Sequence, residues 1–153
     1  MGRFSGVNKA RQSGGGNWWK KGKYRTRITK VEFRNGHKGE SYIIEGEVLA
    51  SSNPEILVGE TRSQVIKMDK ESALGNIGSF MGVCAAVMTG ENLANPDLNE
   101  VTEADVEASH GEDQPLVGLE LEIDAYDIET KAGNPFTVIK YKVPAEKLGA
   151  VAA

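Results

Sequence analysis

Cysteine is nearly absent: the lone Cys84 excludes an internal disulfide and any zinc site built from several thiolates. No stretch approaches the roughly 20 apolar residues of a membrane-spanning helix, so no membrane partner is expected. Residues 1–17, MGRFSGVNKARQSGGGN, lack the apolar segment of a secretory signal. Position 6 is Gly6, where a myristoylation signal has Ser or Thr. The expected compartment is the cytoplasm. Catalytic motifs are missing as well: there is no Walker glycine loop, GxSxG elbow or HExxH pair. His37 falls in a turn, and His110 with Glu112 and Asp113 matches no metal-ligand spacing. The expectation is no catalytic residue, no metal and no cofactor.

What is present is ordinary in amount and uneven in placement. Hydrophobic residues make up 39% and charged residues 26%, enough for one domain with a real core. The formal net charge of −4 conceals two poles. Residues 1–40 carry 11 Lys or Arg against Glu32 and Glu40, a net of +9, while the remaining 113 residues have a net of −13. From Glu91 to Glu129 there are 13 acids and no Lys or Arg. Such a run reads as a solvated acidic face, as a cover for the basic end, or as a docking surface for a partner protein.

The densest signal is Asn17–Arg34, NWWKKGKYRTRITKVEFR, with two adjacent tryptophans, seven Lys or Arg and one acid, Glu32. Flat rings beside cations suit a ligand with flat rings on an anionic backbone, and single-stranded nucleic acid is the commonest such ligand.

Residues 1–17, with Gly14-Gly15-Gly16, read as a basic arm, 18–144 as the folded domain and 145–153 as a short tail. A first strand is predicted over Lys23–Phe33, where Tyr24, Thr26 and Ile28 alternate with Arg25, Arg27 and Thr29. Val31 and Phe33 fall out of phase, so a bulge is expected near Thr29–Lys30. Asn35-Gly36 opens a turn to a second strand over Ser41–Ala50, in which Gly46 marks a bend or a close backbone approach. A third strand is predicted over Glu60–Met68. A helix follows over Lys70–Met88, with Leu74, Ile77, Met81, Cys84 and Met88 on its buried stripe, Asp69 or Ser72 at its start and Gly90 at its end. Residues 91–114 form an acidic excursion, with Thr102–Asp105 resembling a capping box. The last hairpin pairs Leu119–Ala125 with Phe136–Val143.

The predicted class is therefore mainly β: a five-stranded OB-fold barrel with one helix between strands three and four and an acidic insertion. Such barrels bind single strands on strands two and three, framed by the loops between strands one and two and between four and five. Asn35–Gly39 and Thr130–Asn134 occupy those two loops. The alternative architecture is an open sheet packed on one helix.

Several short motifs accompany this order: Gly22-x-Tyr24, Gly39-x-x-Tyr42, Val48-Leu49-Ala50-Ser51, Gly59, Ile77-x-x-Phe80 and Gly118-x-x-Leu121. In these the chain resembles the small single-stranded-DNA-binding proteins of tailed bacteriophages, over about residues 18–144. The resemblance implies a non-catalytic accessory of DNA replication or recombination that coats single strands in the host cytoplasm. Many single-strand binders end in an acidic tail that recruits partners. This sequence ends LGAVAA and carries its acids internally, so replication or recombination proteins would dock on 91–129. Small barrels of this kind often pair, and a homodimer is among the assemblies considered.

The stacking candidates are Trp18, Trp19, Phe33, Tyr42 and Phe136, whereas Tyr24 and Tyr141 read as core. Adjacent strand residues point to opposite faces, so at least one of the two tryptophans is expected to project. Lys20, Lys21, Lys23, Arg25 and Arg27 are the first set of phosphate-binding cations; Arg34, Lys38, Arg62, Lys67, Lys131 and Lys140 are the second. DNA and RNA are both open, because no residue pattern reads a 2′-hydroxyl. The alternative function is a virion structural or protein-interaction module built on the same small barrel.

Overall fold

The computed structural model describes residues 18–37, 39–129, 133 and 135–146. Its elements run in the order β1 (Gly22–Gly36), β2 (Gly39–Ser51), β3 (Thr61–Lys67), α1 (Ala73–Thr89), a 3-10 turn at Pro96–Leu98, α2 (Glu103–Ser109), β4 (Glu120–Glu129) and β5 (Pro135–Lys142). Among the described residues no helix is long and apolar enough to cross a membrane.

The five strands form one antiparallel sheet in the order β3-β2-β1-β4-β5. Strand β1 is central: it pairs with β2 from Tyr24 to Gly36 and with β4 from Gly22 to Arg27. The β1–β2 register shifts twice. Thr29 is an extra residue on β1, at the expected bulge, and it turns Val31 back into the core. The second shift leaves Leu49 of β2 unpaired between Ala50 and Val48. Strands β3 and β5 are the two edges, and no hydrogen-bonded ladder joins them, so hydrogen bonds do not close the sheet into a barrel.

Helix α1 lies across this seam and touches β3, β4 and β5. Its Phe80 ring meets Tyr141 of β5 edge-on, with centroids 4.8 Å apart. Ile77, Phe80, Met81 and Cys84 share one core with Ile28, Val31, Tyr42, Ile44, Ile66 and Leu121. A second core at the other end holds Trp19, Tyr24, Val48, Ile56 and Ile123, and Tyr141 packs against both. The helix ends as expected at Gly90, in the left-handed region with φ 76°. Ser72 stands at the N-cap position but makes no capping hydrogen bond. Leu74 and Met88 depart from the expected buried stripe, and Leu74 is 74% exposed. Thr102 and Asp105 do form a capping box at the start of α2.

Gly46 has a reason to be glycine. A Cβ there would stand 2.1 Å from the Thr26 hydroxyl, which donates to the Glu47 carbonyl at 2.9 Å. Rotating Thr26 away would break that bond in the core. Gly46→Ala should therefore destabilise the fold by about 1–3 kcal/mol, the usual cost of overpacking. An unchanged denaturation midpoint would show that the two strands can separate freely at this point.

Candidate nucleic-acid interface

The cationic strand does not present an open basic face. Lys23, Arg25 and Arg27 point away from the core, but their β4 partners across the sheet are Asp124, Glu122 and Glu120. Opposite charges on neighbouring strands are close enough to pair. Arg25 lies 3.0 Å from Glu120 and 2.5 Å from Glu146. The hydrogen bonds that Arg25 donates to Glu146, with help from Glu120, hold its guanidinium above its ordinary pKa. Arg27 reaches Glu47 at 3.4 Å and Glu120 at 3.5 Å. Arg34 and Lys30 converge on Glu32 at 3.0 and 3.7 Å, and Lys20 lies 3.6 Å from Glu55. The two charge poles of the sequence interleave in space. Arg25, Arg27 and Arg34, expected as phosphate ligands, lie beside carboxylates.

Three further expectations are corrected by burial. Tyr42 is 0% exposed. Its hydroxyl is 2.7 Å from Ser109 Oγ, and burial pushes its pKa up to about 12. Trp19 is buried in the second core, its ring 4.9 Å from Tyr24. Neither ring is open to a base. The Arg62 side chain is only 7% exposed, with Glu60 at 3.0 Å and the Trp18 carbonyl at 3.3 Å. It ties Trp18 down rather than facing solvent. Phe33 is half-buried and already stacked on His110, with centroids 5.3 Å apart. Lys38 and Lys131 lie outside the described residues.

The structure does bring three of the expected residues together. Trp18, Lys67 and Phe136 line one groove of about 570 Å³. Trp18 is 38% exposed and Phe136 is 57% exposed, so one of the adjacent tryptophans projects, as alternation requires. Trp18 is set against β3 by a parallel bridge to Ser63 and by Arg62. Phe136 enters the groove from the start of β5, just after the 130–134 loop. Lys67 ends β3, and Lys70 follows in a turn closed by a 3.2 Å bond from its N–H to the Lys67 carbonyl. Among the described residues, neither lysine has a carboxylate within 4.0 Å.

Sequence reasoning missed Lys70, because a lysine at a predicted helix start reads as solvated. It also missed Gln64 and Asn76, which line this groove and a neighbouring one of about 420 Å³ beside β5. Lys140 lines that second groove. Lys20, Lys21 and Lys23 are exposed but do not line the Trp18 groove.

The paired carboxylates make a pH prediction. The hydrogen bond from Arg34 holds the Glu32 carboxyl below its usual 4.5. A depressed folded-state pKa adds stability that is complete above the unfolded value and is lost as pH falls through the folded one. Below about pH 4.5 the unfolding midpoint of the parent protein should fall faster than that of Glu32→Gln, bringing the two curves together. A constant gap between the curves into acid would show that Glu32 takes no part. No protein-family model matches the chain, and a search of curated proteins gives no significant match, so the reading of this surface rests on its geometry.

Proposed function

We propose that this chain binds single-stranded DNA without reading its sequence, as a non-catalytic accessory of DNA replication or recombination in a bacteriophage. The observation that carries the reading is the groove in which Trp18 and Phe136 stand exposed beside Lys67 and Lys70. Every base has a face that stacks on an aromatic ring, so two rings hold a strand without discriminating its letters. Among the described residues these two ammonium groups have no carboxylate partner, which leaves them to neutralise phosphates.

The sheet order supports the same reading. An OB fold is a five-stranded, partly open barrel that binds on strands two and three and at the loop between four and five. The groove here joins β3, the start of α1 and the start of β5. A long, bulged first strand shared by β2 and β4 fits that architecture, with α1 spanning the open seam.

Oligothymidine should quench Trp18 fluorescence, while the buried Trp19 stays largely silent. Stacking contributes about 1–3 kcal/mol per base, so Trp18→Ala and Phe136→Ala should each weaken binding by about 5- to 150-fold. Each phosphate contact on a single strand contributes about −0.7 to the slope of log affinity against log salt. The Lys67→Gln, Lys70→Gln double variant should reduce the steepness of that slope by about 1.4. Arg25→Gln, whose partner groups are carboxylates, should leave affinity nearly unchanged. Absence of both quenching and gel retardation at low salt would overturn the reading and favour a protein-interaction or virion module.

A further inference from the structure

We infer that a third groove, between the β1–β2 hairpin, α1 and α2, is the docking site of this chain's own residues 1–17. This groove measures about 690 Å³. Phe33, Met68, Leu74, Ile77, Val101 and Val106 give it an apolar lining. Glu40, Glu103 and Glu107 stand on its rim, and among the described residues no Lys or Arg lines it. Leu74 is 74% exposed although it belongs to an otherwise apolar helix. A large aliphatic side chain beside half-buried Phe33 and Met68 forms a surface that association would cover.

The chain supplies a complementary occupant. Residues 1–17 contain Arg3, Lys9 and Arg11, no acid, and, past Met1, the apolar side chains of Phe4 and Val7. Three cations face three carboxylates, and the apolar pair matches the apolar lining. The tether reaches. Trp18 is fixed opposite Ser63, and Met68 of the groove lies five residues further along, about 17 Å at strand spacing. Seventeen residues span up to about 58 Å when extended. This inference is independent of the nucleic-acid reading and needs no DNA for its test.

The test is disulfide trapping in the full chain. Phe4→Cys is combined with Leu74→Cys in one protein and with Met88→Cys, another exposed apolar site on α1, in a control. Cys84 is buried, and burial pushes its thiol pKa up, so it does not compete. Under a mild thiol oxidant at low salt, the internal crosslink at position 74 should form about fivefold faster than at position 88, or more. High salt, or Glu103→Gln with Glu107→Gln, should remove most of that advantage. Equal rates at the two positions would overturn the inference and leave the groove to another protein. Crosslinks formed only between molecules would also overturn it, in favour of docking on a second copy. A preference at position 74 that ignores both salt and the glutamine variants would overturn the charge-based recognition.

Discussion

Strand β1 is hydrogen-bonded along both edges, and the other elements take their positions from it. One edge pairs with β2 and the other with β4, so β1 carries both halves of the sheet. A strand with that duty must change direction, or its side chains leave the core after a few residues. The extra residue at Thr29 supplies the change: Tyr24, Thr26 and Ile28 are buried before it and Val31 after it. Gly46 accepts the same bend from the β2 side by letting the Thr26 hydroxyl approach its backbone. Where the pairing with β4 ends, the chain continues it through Ile28, whose N–H reaches the Leu119 carbonyl at 2.9 Å and whose carbonyl takes the Gly118 N–H at 2.8 Å. The frame thus rests on a central strand whose irregularities are built in.

That frame also determines the electrostatics. The antiparallel pairing sets the cations of β1 opposite the acids of β4, and the acids of β2 are on the other side. Exposed pairs of this type contribute only about 0.2–1 kcal/mol each. Their larger effect is on what remains available. Once Arg25, Arg27, Lys30 and Arg34 sit beside carboxylates, the net charge of the sequence segment no longer describes the surface it forms. Lys67 and Lys70, which among the described residues form no ion pair, lie at the far edge of the sheet, next to two exposed rings.

Local features were legible in the sequence because local physics decides them. Alternation gave the strands, the phase break gave the Thr29 bulge, and Gly90 and Thr102–Asp105 gave the ends of the helices. The projection of one tryptophan followed from alternation, but which of the two projects did not. That choice depends on Val48, Ile56 and Ile123 closing around Trp19, a contact between distant segments. Tyr42 was ambiguous because its inward direction has a polar end to satisfy, and the partner, Ser109, lies 67 residues away. Arg62 read as a solvent cation because its role as an anchor for Trp18 arises only when the two segments meet. Leu74 fits a helical stripe, yet it lines an open groove with Phe33 and Val106 from distant segments instead of entering the core. In each case the deciding neighbour is far away in the chain.

The Trp18 groove and the Phe33 groove meet at the end of β3 and the first turn of α1. Lys67, Ala73 and Asn76 line one, while Met68, Leu74 and Ile77 line the other. A change of direction at successive residues therefore separates a lysine-bearing site from a carboxylate-rimmed one over a few ångströms of backbone. At physiological ionic strength the Debye length is about 8 Å, so each groove presents mainly its own charge to an incoming ligand. A polyanion is drawn to the first and repelled by the rim of the second, and a cationic segment meets the reverse. Part of the acidic charge is paired with β1 on the sheet and part lines the Phe33 groove, so the overall charge of −4 is not spread evenly over the surface. Local separation of charge, fixed by one turn of backbone, is what the proposed nucleic-acid binding by an acidic protein depends on.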